Sequence, residues 1–99
     1  MLLDLTDQGF DVEVRFTNKN NNEFCIDISK DKTTKAMSFW AKEIGDYLKT
    51  ISDYLSSNNY KYDVSIYSAP SFNAIFYSID SFINMNENIR SCDLYFTLK

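Results

Sequence analysis

The sequence predicts one α+β domain, a two-layer sandwich with two helices packed on one face of a four-stranded sheet. Three observations point to it. Four segments alternate apolar and polar residues with the period of two of a half-buried strand. Two others repeat apolar residues every three to four positions, as an amphipathic helix does. The segments run strand, strand, helix, strand, helix, strand, and 99 residues hold a single core with no linker or repeat to divide them.

Residues 1–9 lead in. Gly9 marks a turn, and Leu2, Leu3 and Leu5 can pack on the domain edge. From Phe10 to Thr17 the alternation is regular: Phe10, Val12, Val14 and Phe16 take one side, Asp11, Glu13, Arg15 and Thr17 the other. The asparagine-rich run 18–22 tolerates left-handed backbone and reads as a hairpin loop. Glu23 to Ser29 then alternates again, with Phe24, Ile26 and Ile28 inward and Glu23, Cys25, Asp27 and Ser29 outward.

Asp31 or Thr33 is placed to cap a helix. Met37, Trp40, Ile44, Tyr47, Leu48, Ile51, Tyr54 and Leu55 form a stripe that predicts about six helical turns. Gly45 inside it costs about 1 kcal/mol relative to Ala and allows close approach of the sheet. Tyr60 to Ser68 is the third strand, with Tyr62, Val64 and Ile66 on one face and Lys61, Asp63, Ser65 and Tyr67 on the other. Pro70 suits the first turn of a second helix, whose buried stripe is Phe72, Ile75, Phe76, Ile79, Phe82 and Ile83. Residues 84–88 are the exit loop. Ser91 to Lys99 closes the chain as a strand, with Cys92, Leu94, Phe96 and Leu98 inward and Asp93, Tyr95, Thr97 and Lys99 outward. The third strand, second helix and last strand together suggest a right-handed parallel crossover.

Composition narrows the function classes. A chain of this size buries roughly 65% of its unfolded surface and needs no disulfide or metal to be stable. Apolar content of 44% and charged content of 24% are those of a globular protein. The net charge of −4 and pI near 4.6 argue against direct nucleic-acid binding and suit a basic partner. Cys25 and Cys92 form no CxxC pair and read as strand residues in a reducing compartment. Met1-Leu2-Leu3 runs into Asp4 and Asp7 rather than into an apolar signal region, and no apolar run approaches the ~18 residues that span a bilayer. A cytoplasmic protein with no membrane partner is expected.

The chain has no histidine, which removes the usual acid–base group near neutral pH and excludes Ser-His-Asp and Cys-His catalysis. With two glycines it has neither GxGxxG nor GxxxxGK[ST], and no Cys/His cluster for zinc. No cofactor and no catalytic residue is therefore assigned. Asp11, Glu13 and Asp27, with Lys30 nearby, offer oxygen ligands for Mg²⁺ or Ca²⁺. Alternating acids on a wet strand look the same, and that plainer reading is preferred. Asp4, Asp7 and Asp11 do not follow the EF-hand pattern.

The informative feature emerges when the four outward strand faces are combined. They carry Asp11, Glu13, Glu23, Asp27, Asp63 and Asp93 together with Tyr67 and Tyr95, opposed by Arg15, Lys61 and Lys99. A wet antiparallel face is polar in any case, so the expectation rests on one sign of charge being concentrated beside exposed tyrosines. Charge speeds association with a complementary partner and rejects others. Tyrosine supplies apolar anchoring at interface hot spots. These eight residues are the candidate partner-binding set. The expected role is a small acidic inhibitor of a basic protein, such as a nuclease or other nucleic-acid-processing enzyme, in the manner of an immunity protein, antitoxin or phage anti-defence protein. The alternative is a structural subunit or homodimer built through an open edge strand.

Overall fold

The structure, a computed structural model, describes residues 5–17, 22–30, 37–69 and 75–99. Its main sheet has five strands in the order β1 (Asp11–Phe16), β2 (Glu23–Ser29), β7 (Ser91–Leu98), β4 (Tyr62–Ala69) and β5 (Ile75–Phe76). Every neighbouring pair is antiparallel. A second sheet is a ribbon of β3 (Phe39–Trp40) and β6 (Asn88–Ile89). The helices are α1 (Gly45–Ser57) and α2 (Ile79–Ile83). The architecture is a small α+β fold, but the expected four-stranded sheet is corrected to five strands plus a ribbon.

The parallel crossover is corrected too: β4 and β7 run antiparallel, with Ala69 opposite Ser91 and Tyr62 opposite Leu98. Length explains this. A strand of eight residues spans about 26 Å, whereas a five-residue helix advances only about 7.5 Å. Helix α2 cannot carry the chain back along β4, so β7 starts beside the end of β4.

The stripe from Met37 to Leu55 is not one helix. Phe39 pairs with Ile89 in the ribbon, and the Trp40 backbone N–H donates to a Glu43 carboxylate oxygen at 2.6 Å. That contact starts a 3-10 turn, Ala41–Ile44, before α1 begins. Ile44, Leu48 and Leu55 are buried, while Met37 and Tyr54 are exposed. Gly45 lies against Ile83 of α2, not against the sheet. The second predicted helix is likewise shorter: Ile75–Phe76 pairs with Ile66–Tyr67, and Ser78 Oγ accepts from the Ser81 N–H to open α2 at Ile79. Asn88 of the predicted exit loop is in β6. Leu2, Leu3, the loop asparagines before Asn22, Asp31, Thr33, Pro70 and Phe72 lie outside the described residues.

The core joins Ile44, Leu48 and Leu55 of the helical layer and Ile79 and Phe82 of α2 to Ile26, Ile28, Val64, Ile66, Cys92, Leu94 and Phe96 of the sheet. An aromatic row crosses four strands on this side. Phe16 meets Phe24 at 6.2 Å, Phe24 stacks on Phe96 at 4.9 Å, and Tyr62 tilts on Phe96 at 5.6 Å. The Tyr62 hydroxyl and Ser52 Oγ share a 2.6 Å hydrogen bond that ties β4 to α1. At the β1 edge the cover ends, and Val14 and Phe16 are 55% and 61% exposed.

Candidate protein-binding face

Residues directly opposite in an antiparallel pair project to the same side, so register alone defines the outer face. One row reads Glu13, Asp27, Asp93, Tyr67 across β1, β2, β7 and β4. The next reads Arg15, Cys25, Tyr95, Ser65. Beyond it lie Glu23, Thr97 and Asp63, and on the other flank Asp11, Ser29 and Ser91. All eight residues named from the sequence stand on this side. Asp27, Asp93, Tyr67 and Tyr95 form its middle, while Asp11 and Asp63 lie at its margins.

The margins are partly neutralised. Asp63 pairs with Lys99 at 2.9 Å, both well exposed, a contact worth under about 1 kcal/mol for stability that nevertheless removes local negative charge. Thr17 Oγ1 donates to Glu23 at 3.5 Å.

The middle is under electrostatic tension. Asp27 and Asp93 face each other directly and are both half-buried. Loss of water on burial holds the Asp27 carboxyl above the usual carboxylate range. The charge of Asp93 and a hydrogen bond to it push the same way, and Arg15 pulls back. Cys25 lies directly between Arg15 and Tyr95, its cross-strand partners on the two neighbouring strands. Cys25 is thus fully buried although it belongs to the outer face. Burial raises its thiol and Asp93 adds to the effect, so it stays protonated at neutral pH. Cys92, on the inner side, is a second buried free thiol, raised mainly by burial.

Tyr67 and Tyr95 meet edge to face at 5.6 Å. With Ser65 and Asp93 they line a shallow hollow of about 400 Å³ on the sheet face. A carboxylate beside two aromatic rings suits an ammonium or guanidinium group, which gains an ion pair and a cation–π contact together. Ser65 and Cys25 are outward by strand alternation, but their place beside Asp93 and Tyr95 depends on strand order, which local pattern does not reveal.

A larger cleft of about 540 Å³ opens between α1, β4 and the start of α2, with Lys49, Asp53, Asp63, Tyr77 and Asp80 on its walls. The sequence reading missed it. Its only local signal is that Lys49 and Asp53 share the wet side of α1.

Among the described residues no group of three or more Cys, Asp or Glu side chains gathers closely enough to hold a metal ion. Glu13 faces Asp27, but Asp11 faces Ser29. No described helix is long and apolar enough to cross a membrane. Fold and surface define a small α+β protein with an acidic, tyrosine-bearing sheet face. No family model matches the chain, and neither a curated protein nor a solved structure matches it.

Proposed function

We propose that this protein is a cytoplasmic binding inhibitor that covers the basic substrate groove of a nucleic-acid-processing protein with its outer sheet face. Immunity proteins, antitoxins and phage anti-defence proteins act in this way. The observation that supports the reading is the outer-face register, which sets Glu13, Asp27, Asp93 and Tyr67 in one continuous row. A rigid antiparallel sheet presents such a row without paying to order it on binding. The carboxylates steer a basic partner, and the hollow lined by Tyr67, Tyr95, Ser65 and Asp93 takes one of its Lys or Arg side chains as an anchor.

The test starts with the immobilised protein and an extract of its native host. A captured basic protein is then produced alone, its nuclease or nucleic-acid-binding activity is assayed with and without the inhibitor, and association rates are measured across a salt series. Association should slow steeply with salt, and Asp27→Asn with Asp93→Asn should slow it about tenfold at low salt and flatten that dependence. A partner whose association ignores both salt and these substitutions, with the fold intact, rules out the acidic face as the site.

A further inference from the structure

Strand β1 is an edge that lacks several of the usual defences against pairing, although Asp11, Glu13 and Arg15 are charged. It contains no proline, glycine or lysine, and its register with β2 runs from Asp11 to Phe16 without a bulge. The opposite edge differs, since β5 there is only two residues long. Among the described residues nothing pairs with the outer edge of β1.

Hydrogen-bond parity shows which of its groups are free. The Thr17 N–H donates to the Glu23 carbonyl. The residues of β1 bonded to β2 are therefore the odd ones, because bonded and non-bonded pairs alternate. The Leu98 N–H bonds the Asn22 carbonyl, so the even residues of β2 face β7, which agrees. The N–H and C=O groups of Val12, Val14 and Phe16 thus point away from the sheet. The same three side chains lie on the inner face, where Val14 and Phe16 are largely exposed.

We infer that β1 pairs antiparallel with β1 of a second copy of this chain, about a two-fold axis at Val14, to make one continuous sheet. A two-fold axis perpendicular to the sheet keeps like faces together and so allows only same-parity registers. Centring on Arg15 sets Arg15 on Arg15, and centring on Glu13 sets Glu13 on Glu13 while bringing Asp11 opposite Arg15 of the second copy. Centring on Val14 sets Glu13 opposite Arg15 of the second copy, twice by symmetry, on the outer face. On the inner face it sets Val14 on Val14 and Val12 on Phe16, covering the exposed apolar side chains. Every same-parity register uses the free backbone groups; charge complementarity selects the one centred on Val14, which also covers the exposed apolar side chains. This inference stands apart from the acidic-face reading, since it concerns the isolated protein and needs no other partner.

Sedimentation of the purified chain from about 2 to about 200 µM should show a monomer–dimer equilibrium. Glu13→Arg alone and Arg15→Glu alone each turn two attractive cross-strand contacts into two repulsive ones, and each should raise the dimer dissociation constant about tenfold or more. The combined exchange restores opposite charges and should recover the dimer. Val14→Cys should form a disulfide across the axis on mild oxidation, because Cα atoms of a bonded pair lie about 5.5 Å apart. A wild-type chain that stays monomeric over the whole range overturns the proposal. So does a dimer indifferent to both single changes, or a combined exchange that fails to restore it while circular dichroism shows native structure.

Discussion

Replacing Asp93 by Asn should make the protein more stable at neutral pH, and the gain should fade in acid. Asp93 and Asp27 are direct cross-strand partners, and both are half-buried. Two unit charges about 5 Å apart repel by about 0.8 kcal/mol in water and about 3 kcal/mol at an effective dielectric of 20. Both groups keep contact with solvent and Arg15 offsets part of the repulsion, so a value near the top of the cross-strand range, about 1 kcal/mol, is expected. Asparagine keeps the shape and can donate a hydrogen bond to Asp27. The sign of the pH dependence follows from Asp27, whose carboxyl is raised by burial first and by Asp93 second. The folded state then holds a proton more tightly than the unfolded chain, so stability falls as pH rises through that window. The cost is fully present above the raised folded value and absent below the ordinary carboxylate value near 4. Thermal melts at neutral pH should therefore show Asp93→Asn higher by about 4–8 °C, with the two curves converging toward the acid end. A variant that is less stable at neutral pH, or a gap that does not narrow in acid, refutes the reasoning.

Two further changes test the packing. Phe96→Ala removes the ring between Phe24 and Tyr62 and should cost about 3–5 kcal/mol in urea unfolding, a large share of the 5–15 kcal/mol typical of a domain. At Gly45 an added Cβ would sit 3.4 Å from Ile83 Cδ1, an ordinary contact, at a helical φ of −60°. Gly45→Ala should thus be neutral or stabilising by up to about 0.5 kcal/mol, whereas Gly45→Leu should lose about 2 kcal/mol by overpacking, both read from denaturant midpoints.

What local pattern revealed and what it hid follow from the range of the forces involved. The alternation in β1, β2, β4 and β7 placed all eight face residues on the outer side, because side-chain direction in a strand is a local property with period two. The helices were less legible. Met37 and Trp40 fit the stripe of α1, yet Phe39 is claimed by Ile89, fifty residues on, and a nonlocal strand pair overrode the local period. Ile75 and Phe76 likewise suit a helix or a short strand, and their pairing with Ile66 and Tyr67 decided for the strand. Strand order was not readable, so neither was the direct opposition of Asp27 and Asp93. The exposure of Val14 and Phe16 also escaped, since alternation shows which way a side chain points but not where the covering layer stops.

The order of the strands also governs when the candidate face comes into being. The β1–β2 hairpin alone carries Asp11, Glu13, Glu23 and Asp27, and β4 alone carries Asp63 and Tyr67. Only β7, inserted between β2 and β4, brings Asp93 beside Asp27 and Tyr95 beside Cys25 and Ser65. The hollow lined by the two tyrosines needs β4 and β7 together. Strand β7 is therefore the central strand, and its inner residues Cys92, Leu94 and Phe96 are all buried. Burial of those three side chains sets the driving force for insertion, and the same insertion sets carboxylate against carboxylate on the other side. A core strong enough to hold Asp27 and Asp93 together is what allows the fold to keep an acidic row that its own stability would be better without. That cost is the physical reason to read the row as serving a partner rather than solubility alone.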